Sequence, residues 1–283
     1  MKKFAKVTGL VLAATCVMGL AACGEDELAI GKEFVSATSQ LDALTKLDKG
    51  EADVAVIDSV MAGYYTSTGD YADKMTMVDG LVLAEESYGI AAKKGNKALV
   101  SKINEGLIAL RETGYADLLA EYGLTSSLAL TADTTDPYAD ATDQSWSKVV
   151  SSKKVVIGYT VFAPIAFTDG GELTGFDVEL AEAVFAYLNA QYTADIEVEF
   201  SIIDWNAKES LLENGTIDLV WNGMTITEER EEGMCVSVPY LYNKQCAVVL
   251  KKDAGKYTTK ESMKEAVMTA EKGSAGESVI TGK

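Results

Sequence analysis

The chain contains no histidine and, in 283 residues, only four cysteines and three prolines. Without an imidazole there can be no histidine-based catalytic triad, and zinc sites built on histidine and clustered cysteine are excluded with it. Positive charge is scarce as well: 25 Lys and Arg stand against 43 Asp and Glu, a net charge of -18 at pH 7. A surface of that sign repels nucleic acid and anionic lipid. What the chain does have is apolar content, 48% hydrophobic residues, enough for two modest domains with ordinary cores.

The first 22 residues open with Lys2, Lys3 and Lys6 and continue through Val11, Leu12, Val17, Met18 and Leu20 to small residues. The run is too short and too soon interrupted for a spanning helix and reads as a secretion signal. It holds three lysines and no acid, so its removal lowers the net charge by three, to -21. Its end, "LAAC", is similar to a bacterial lipobox, in which the Cys23 thiol takes a diacylglycerol and becomes the first residue of the mature chain; the alternative is a plain signal with a chance cysteine. Two acyl chains anchor stably where one is marginal. Cys235 and Cys246 remain as thiols of the exported part. No spacing rule pairs them in a disulfide, and two small buried residues is the simpler reading.

From Lys153 onward strands and helices alternate. "KVVIGYT" suits a buried parallel strand, and "GFDVELAEAVFAYLN" places Leu180, Val184 and Leu188, with Ala181 and Phe185, on one helical face. "IEVEFSI", "NAKESLLENG" and "IDLVW" complete a β-α-β-α-β unit. A second set comes earlier: strand "EFVSA", helix "SQLDALTKLDKG", strand "ADVAVID", then "MTMVDG", the strand "ESYGIAAKK" and helices over 97–111 and 115–122. Residues 125–145, rich in Thr, Asp and Ala, read as a linker; the stretch "DTTDPYADATD" lacks the spacing and terminal glutamate of a calcium loop. The end of the chain offers a strand "QCAVVLKK", a helical stretch over 262–266, the strand "AVMTA" and a Gly/Ser loop "EKGSAGES". The strands "VMTA" and "EFVSA" both want a parallel partner, and pairing the end with the beginning supplies it.

Taken together, "VVIGYTVFAPIAF", "LTGFDVELAEAV", "IDWNAKESLLENGTIDLVWNGMTITEER", "VPYLYNKQCAVVL" and "AEKGSAGES" resemble the first half of the family 3 extracellular solute-binding proteins, the polar amino-acid receptors of ABC importers. "FVSATSQLDALTKLDKGEADVAVIDSVMAGYY" and "LAEESYGIAAKKGNKALVSKINEGLIALRETGYADLLAEYGL" resemble the second half. The halves stand in reversed order, so the chain reads as a circular permutation. The resemblance implies an α/β, two-lobe fold of the type II periplasmic-binding-protein kind, each lobe a mixed, mainly parallel sheet flanked by helices. The expected organisation is a signal over 1–22, an anchor linker over 23–33, the first part of the second lobe over 34–92, and a return crossover with helices over 93–124. A linker follows over 125–148, then the first lobe over 149–243, and a crossover with the rest of the second lobe over 244–283. Hinges are expected near "NKQCAVV" and "SYGIAAK". The implied protein is a lipid-anchored monomer outside the cytoplasm that hands a free amino acid to a permease, with no cofactor, no metal and no nucleic acid.

A free amino acid carries a carboxylate and an ammonium, and each must be paired when water is removed. A guanidinium offers two parallel donors to a carboxylate. Arg230 fits that role, backed by Thr225, and the resemblance places Asn222 and Gly223 beside them; the bland alternative for Arg230 is a solvated surface residue. Asp58 ends the apolar run "VAVID", and in the family this position takes the ammonium; the alternative is the N-cap of the following helix. By motif position Phe162 and Trp205 would wall the ligand, Tyr159 would read its side chain with an uncharged hydroxyl, and Ser274 would donate from the second lobe. Each is otherwise core packing or a turn. Glu172, Asp177 and Glu179 resemble an acid pair but are explained by a helix start. Two competing functions stay open: a dehydratase-like cleft enzyme, for which Glu271 is the loop candidate, and a sensor input module.

Overall fold

The computed structural model describes residues 28–68 and 71–283; the signal and Cys23 lie outside them. The early apolar runs fold as β1 (Glu33–Ala37), α1 (Gln40–Lys49), β2 (Val54–Asp58), α2 (Ser59–Ser67) and β3 (Met75–Lys93). Ser39 caps α1 by accepting from the Asp42 amide at 3.0 Å, and Gly50 closes it in the left-handed conformation. Then come α3 (Lys97–Arg111), α4 (Tyr115–Glu121), α5 (Ser145–Ser152), β4 (Lys154–Tyr159), β5 (Phe167–Asp169), β6 (Glu172–Thr174), α6 (Phe176–Tyr192) and β7 (Glu197–Ile202). The chain finishes with α7 (Lys208–Asn214), β8 (Leu219–Thr225), α8 (Glu228–Gly233), β9 (Met234–Val236), β10 (Leu241–Leu250), β11 (Val267–Glu271) and α9 (Ala275–Thr281).

The strands form one path, β1-β11-β2-β10-β3-β8-β4-β7, with β9 also paired to β3 and a separate β5-β6 pair. Pairing within β1-β11-β2 and within β8-β4-β7 is parallel, whereas β10 and β3 run antiparallel to each other and to their neighbours. Two parallel groups are thus joined through a central antiparallel pair. "MTMVDG" and "ESYGIAAKK" are not separate elements: β3 is one strand of 19 residues. Its first part pairs with β10 and its last with β8 and β9, and a register shift near Gly80 (φ 69) absorbs the irregularity.

β1 and β11 pair in parallel over Glu33–Ala37 and Val267–Glu271, so the strands near the two ends of the chain do complete each other. The Ala29 and Ile30 amides also donate to the Ile280 carbonyl, at 2.9 and 3.1 Å. The helical stretch expected over 262–266 is only a short 3-10 turn, Glu261–Met263, and "EKGSAGES" contains the start of α9 rather than a loop alone. Ser274 accepts from the Glu277 amide at 3.2 Å while Glu277 accepts from the Gly273 amide at 2.6 Å, a reciprocal cap that the Ser-x-x-Glu spacing encodes.

Cores lie on both sides of this arrangement. Ile157, Leu219 and Trp221 pack with Leu107 of α3 and with Val184 and Phe185 of α6, which presents the apolar face read from its spacing. Leu44 and Leu47 of α1 pack on Ile57, Met75 and Val248, and Val54, Met268 and Ile280 fill the opposite face. Residues 125–145 connect, but not as a free chain. Ala129 and Leu130 are buried, Asp136 accepts from Ser101 and Asn104 of α3 at 2.6 Å each, and Asp143 accepts from the Ala98 amide at the start of α3 at 2.8 Å. Their composition is polar because these acids satisfy helix donors.

Gly175 precedes α6 with φ 129, and a Cβ there would lie 2.4 Å from the Ile165 carbonyl oxygen. Gly175→Ala should therefore lower unfolding stability by about 3 kcal/mol, since strain and a clash with backbone add. A urea midpoint equal to that of the parent would refute this.

Candidate functional site

Gln40, Asp58, Thr160, Phe162, Trp205, Asn222, Gly223, Thr225, Arg230, Glu271, Ser274 and Ala275 line one cavity. Residues from both parallel groups meet there, with Asp58, Glu271 and Ser274 on one side and Asn222, Gly223 and Arg230 on the other. The cavity encloses about 10 Å³, room for roughly one water. An amino acid can enter only if the two sides move apart.

Arg230 is placed by its own helix start. Thr227 caps α8 by accepting from the Arg230 amide at 3.2 Å, which turns the side chain back over the end of β8. The arginine is 8% exposed, so it is no solvated surface residue. Its Nη1 donates to the Thr225 carbonyl at 2.7 Å and its Nη2 to the Gly273 carbonyl at 3.2 Å. Among the described residues these acceptors are backbone oxygens, not carboxylates. Burial depresses its pKa, with Glu86 the main opposing influence. A buried guanidinium lacking an anionic partner can pair with a carboxylate that reaches it.

Asp58 sits at the N-cap position of α2, yet its side chain makes no cap hydrogen bond. It turns instead to three amides. Gln40 and Asn243 donate to it, Gln245 donates at 2.9 Å, and the Asp58 backbone amide donates to Gln40 Oε1 at 2.9 Å. The same Asn243 and Gln245 side chains also donate to Glu86, the latter at 2.8 Å. Two carboxyls from β2 and β3 are therefore bridged by two amides of β10, whose register sets Gln245 beside Asp58 and Asn243 beside Glu86. Burial, and next the neighbouring Glu86, push the Asp58 carboxyl well above its ordinary range. Such a pair is stabilised by any cation placed between its free lone pairs.

The remaining residues divide by what they touch. Asn222 Oδ1 accepts from the Thr160 amide and hydroxyl at 2.8 Å each, while its Nδ2 is buried with no hydrogen-bond partner. Gly223 adopts φ 62, and a Cβ there would meet Phe162 at 2.7 Å, so glycine is required for the close approach of ring to strand. Its amide donates to Asp177 at 2.8 Å, and Tyr240 donates to the same carboxylate at 2.7 Å. Asp177 thus lies in the first turn of α6, as its position at a helix start implies, and is at the same time a buried acceptor that holds the Gly223 amide. The Thr225 hydroxyl donates to Glu86 at 3.0 Å, so its carbonyl rather than its side chain serves Arg230. Phe162 packs edge-on to Tyr88, and Trp205 lies 5.1 Å from the Lys208 ammonium. Ser274 caps α9 and also lines the cavity.

Tyr159 does not join them. It is the last residue of β4, and its ring packs with Ala166 and Val178 and edge-on to Phe200. Side chains alternate along a strand, so the next residue, Thr160, takes the cavity side. Cys235 and Cys246 are free and buried.

Two buried acids set a pH dependence. Burial lifts Glu271 from 4.5 to about 8 and Asp177 from 3.8 to about 7. The unfolded chain gives up these protons near its ordinary values while the native protein retains them, so native stability falls as pH rises through that window. Lys208, lowered to about 8 by burial and by Arg230, acts in the opposite sense only above pH 8. The ligand-free protein should therefore melt higher at pH 5 than at pH 8, and an unchanged or rising melting temperature between them would contradict the burial of these carboxyls.

Residues 155–274 match the model of the bacterial extracellular solute-binding proteins, family 3. The arginine-binding extracellular protein ArtP of Bacillus subtilis (strain 168) is 34% identical over 110 residues, covering 38% of this chain and 40% of that protein. The L-cystine-binding protein TcyJ of Escherichia coli (strain K12) is 29% identical over 120 residues, 42% and 43% of the two chains. Among solved structures, an ABC uptake transporter substrate-binding protein from Streptococcus pneumoniae with bound histidine is 43% identical over 31% of this chain and 34% of that one, with a TM-score of 0.28. The matches to these curated relatives span about two-fifths of the relatives' length. The matched stretch carries Phe162, Asn222, Gly223, Thr225 and Arg230, the arginine side of the cavity, together with Ser274 of the opposite side. Motif, family model and relatives agree that residues 155–274 are similar to the bacterial extracellular solute-binding proteins, family 3.

Proposed function

We propose that this protein captures a free amino acid outside the cytoplasm and presents it to an ABC permease. The observation that carries this reading is the meeting, in one water-poor cavity, of Arg230 without a carboxylate partner and Asp58 in an acid pair without a cation. The two charges of a zwitterion answer both needs at once. Asn222 Nδ2 offers a further donor, and Phe162 and Trp205 enclose the aliphatic part. Contacts to both sides exist only when they are closed, so binding stabilises closure, and β3 and β10, which run between the two parallel groups, are the elements that flex. The relatives' names, an arginine-binding and an L-cystine-binding protein, support the ligand class.

The same proposal includes a tether through Cys23, action as a monomer, and a permuted order of halves, for which Asp58 standing before Arg230 and the parallel pairing of β1 with β11 are the support. The deciding experiment is a thermal-shift screen against all common amino acids, repeated with the order of halves exchanged. At least one amino acid should raise the melting temperature in both arrangements, and be recovered chemically unchanged by NMR. No shift with any of them would defeat the reading, and turnover of the ligand would replace binding with catalysis.

A further inference from the structure

One carboxyl on the cavity belongs to neither end of a zwitterion. Glu271, the last residue of β11, is 3% exposed, lines the cavity, and has a buried Oε1 with no hydrogen-bond partner. The cation closest in influence is Lys208, but its amine is turned elsewhere: it donates to the carbonyls of Gly273 at 3.2 Å and Trp205 at 3.4 Å, and among the described residues its ion-pair partner is Glu209, at 3.9 Å. A carboxyl held out of water with an open acceptor is costly unless something supplies the missing partner.

Charge around the cavity points to what that partner is. Asp58, Glu86 and Glu271 stand against Arg230 and Lys208, with Asp177 a fourth acid behind Gly223. A neutral amino acid brings one cation, which the Asp58–Glu86 pair takes, and leaves Glu271 without a partner. An amino acid with one extra positive charge places it where that acceptor is open. Tyr159, whose phenol would have suited an uncharged side chain, faces a different cluster.

Building on the proposed amino-acid site, we propose that Glu271 is its side-chain subsite and that the preferred ligand carries a positively charged side chain, a guanidinium or a primary ammonium. Burial holds the Glu271 carboxyl at about 8 in the ligand-free protein, with Lys208 opposing and Asp204 adding to the shift. A cationic ligand therefore displaces a proton on binding near neutral pH, whereas a neutral one does not.

The test is calorimetric titration of the full chain with L-arginine, L-lysine and L-glutamine at pH 7, in two buffers of different ionisation enthalpy, beside Glu271→Gln. The wild type should favour arginine or lysine over glutamine and release a fraction of a proton with the cationic ligands only. Glu271→Gln should weaken arginine and lysine at least about tenfold while leaving glutamine within about threefold, and abolish the proton release. Because it removes only a buried acid, the variant should melt no lower than the parent; if it does melt lower, Glu271→Asp, which keeps the charge at shorter reach, should retain the preference in weakened form. Equal weakening of all three ligands, or a wild-type preference for glutamine, overturns this inference while leaving the amino-acid site standing. Failure of the wild type to bind any of the twenty common amino acids sinks the site itself.

Discussion

Arg230→Ala should abolish the ligand-dependent rise in melting temperature without lowering the melting temperature of the ligand-free protein. The two halves of this result have different causes. A ligand at a hundred times its dissociation constant stabilises the native state by about 2.7 kcal/mol, and that gain disappears once the carboxylate has no bidentate partner. In the ligand-free protein the same guanidinium is a liability. It is buried, its hydrogen bonds to Thr225 and Gly273 are to neutral oxygens, and burial disfavours its charge, so truncating it removes a desolvated cation together with two hydrogen bonds. A structural arginine would behave in the reverse way, with ligand-free stability falling first. Differential scanning fluorimetry with and without saturating ligand separates the two; a variant that melts lower alone yet still responds to ligand would remove Arg230 from the site.

Asp58→Asn is expected to weaken ligand binding by about 2–5 kcal/mol, the range for breaking a buried, hydrogen-bonded charge pair. The substitution preserves size but alters the network around it. Gln40, Asn243 and Gln245 all donate to the aspartate, and an asparagine amide can accept on one atom only, so one of these donors faces another donor. Glu86 would remain as the sole acid of the pair, still bridged by Asn243 and Gln245. If Glu86 alone held the ammonium, the variant would bind as the parent does; unchanged affinity by titration calorimetry would therefore transfer the role from Asp58 to Glu86.

Much of this site was legible in the chain because its parts are local. Arg230 lies within one turn of its cap, Asp58 ends an apolar run, and Phe162, Asn222 and Gly223 belong to short motifs. The strands and α6 follow from continuous apolar runs and a single helical face. What escaped depends on register between distant segments. Glu86 meets Asp58 because β10 lies between β2 and β3 with Gln245 opposite one and Asn243 opposite the other, and no spacing along the chain encodes that pairing. Asp177 is an acid in the first turn of α6, and its second role, accepting from the Gly223 amide across the core, has no signal in the spacing. Tyr159, one step before Thr160, packs with Ala166, Val178 and Phe200 rather than lining the cavity, which its motif position does not reveal. Residues 125–145 have the composition of a linker because their acids answer amide and hydroxyl donors on α3, a use that polarity alone does not reveal.

The carbonyl of Gly273 accepts from both Arg230 and Lys208 across the cavity. In the proposed opening and closing of the cleft, this double contact needs no ligand and so biases the empty protein toward the closed form. Apparent affinity is the intrinsic affinity scaled by the population of the competent state. Strengthening the contact pre-organises the site, but it also makes empty and loaded molecules look more alike to any partner that reads closure. On the proposed function, the geometry around one oxygen atom sets a compromise between sensitivity to scarce ligand and fidelity of the message that ligand is present.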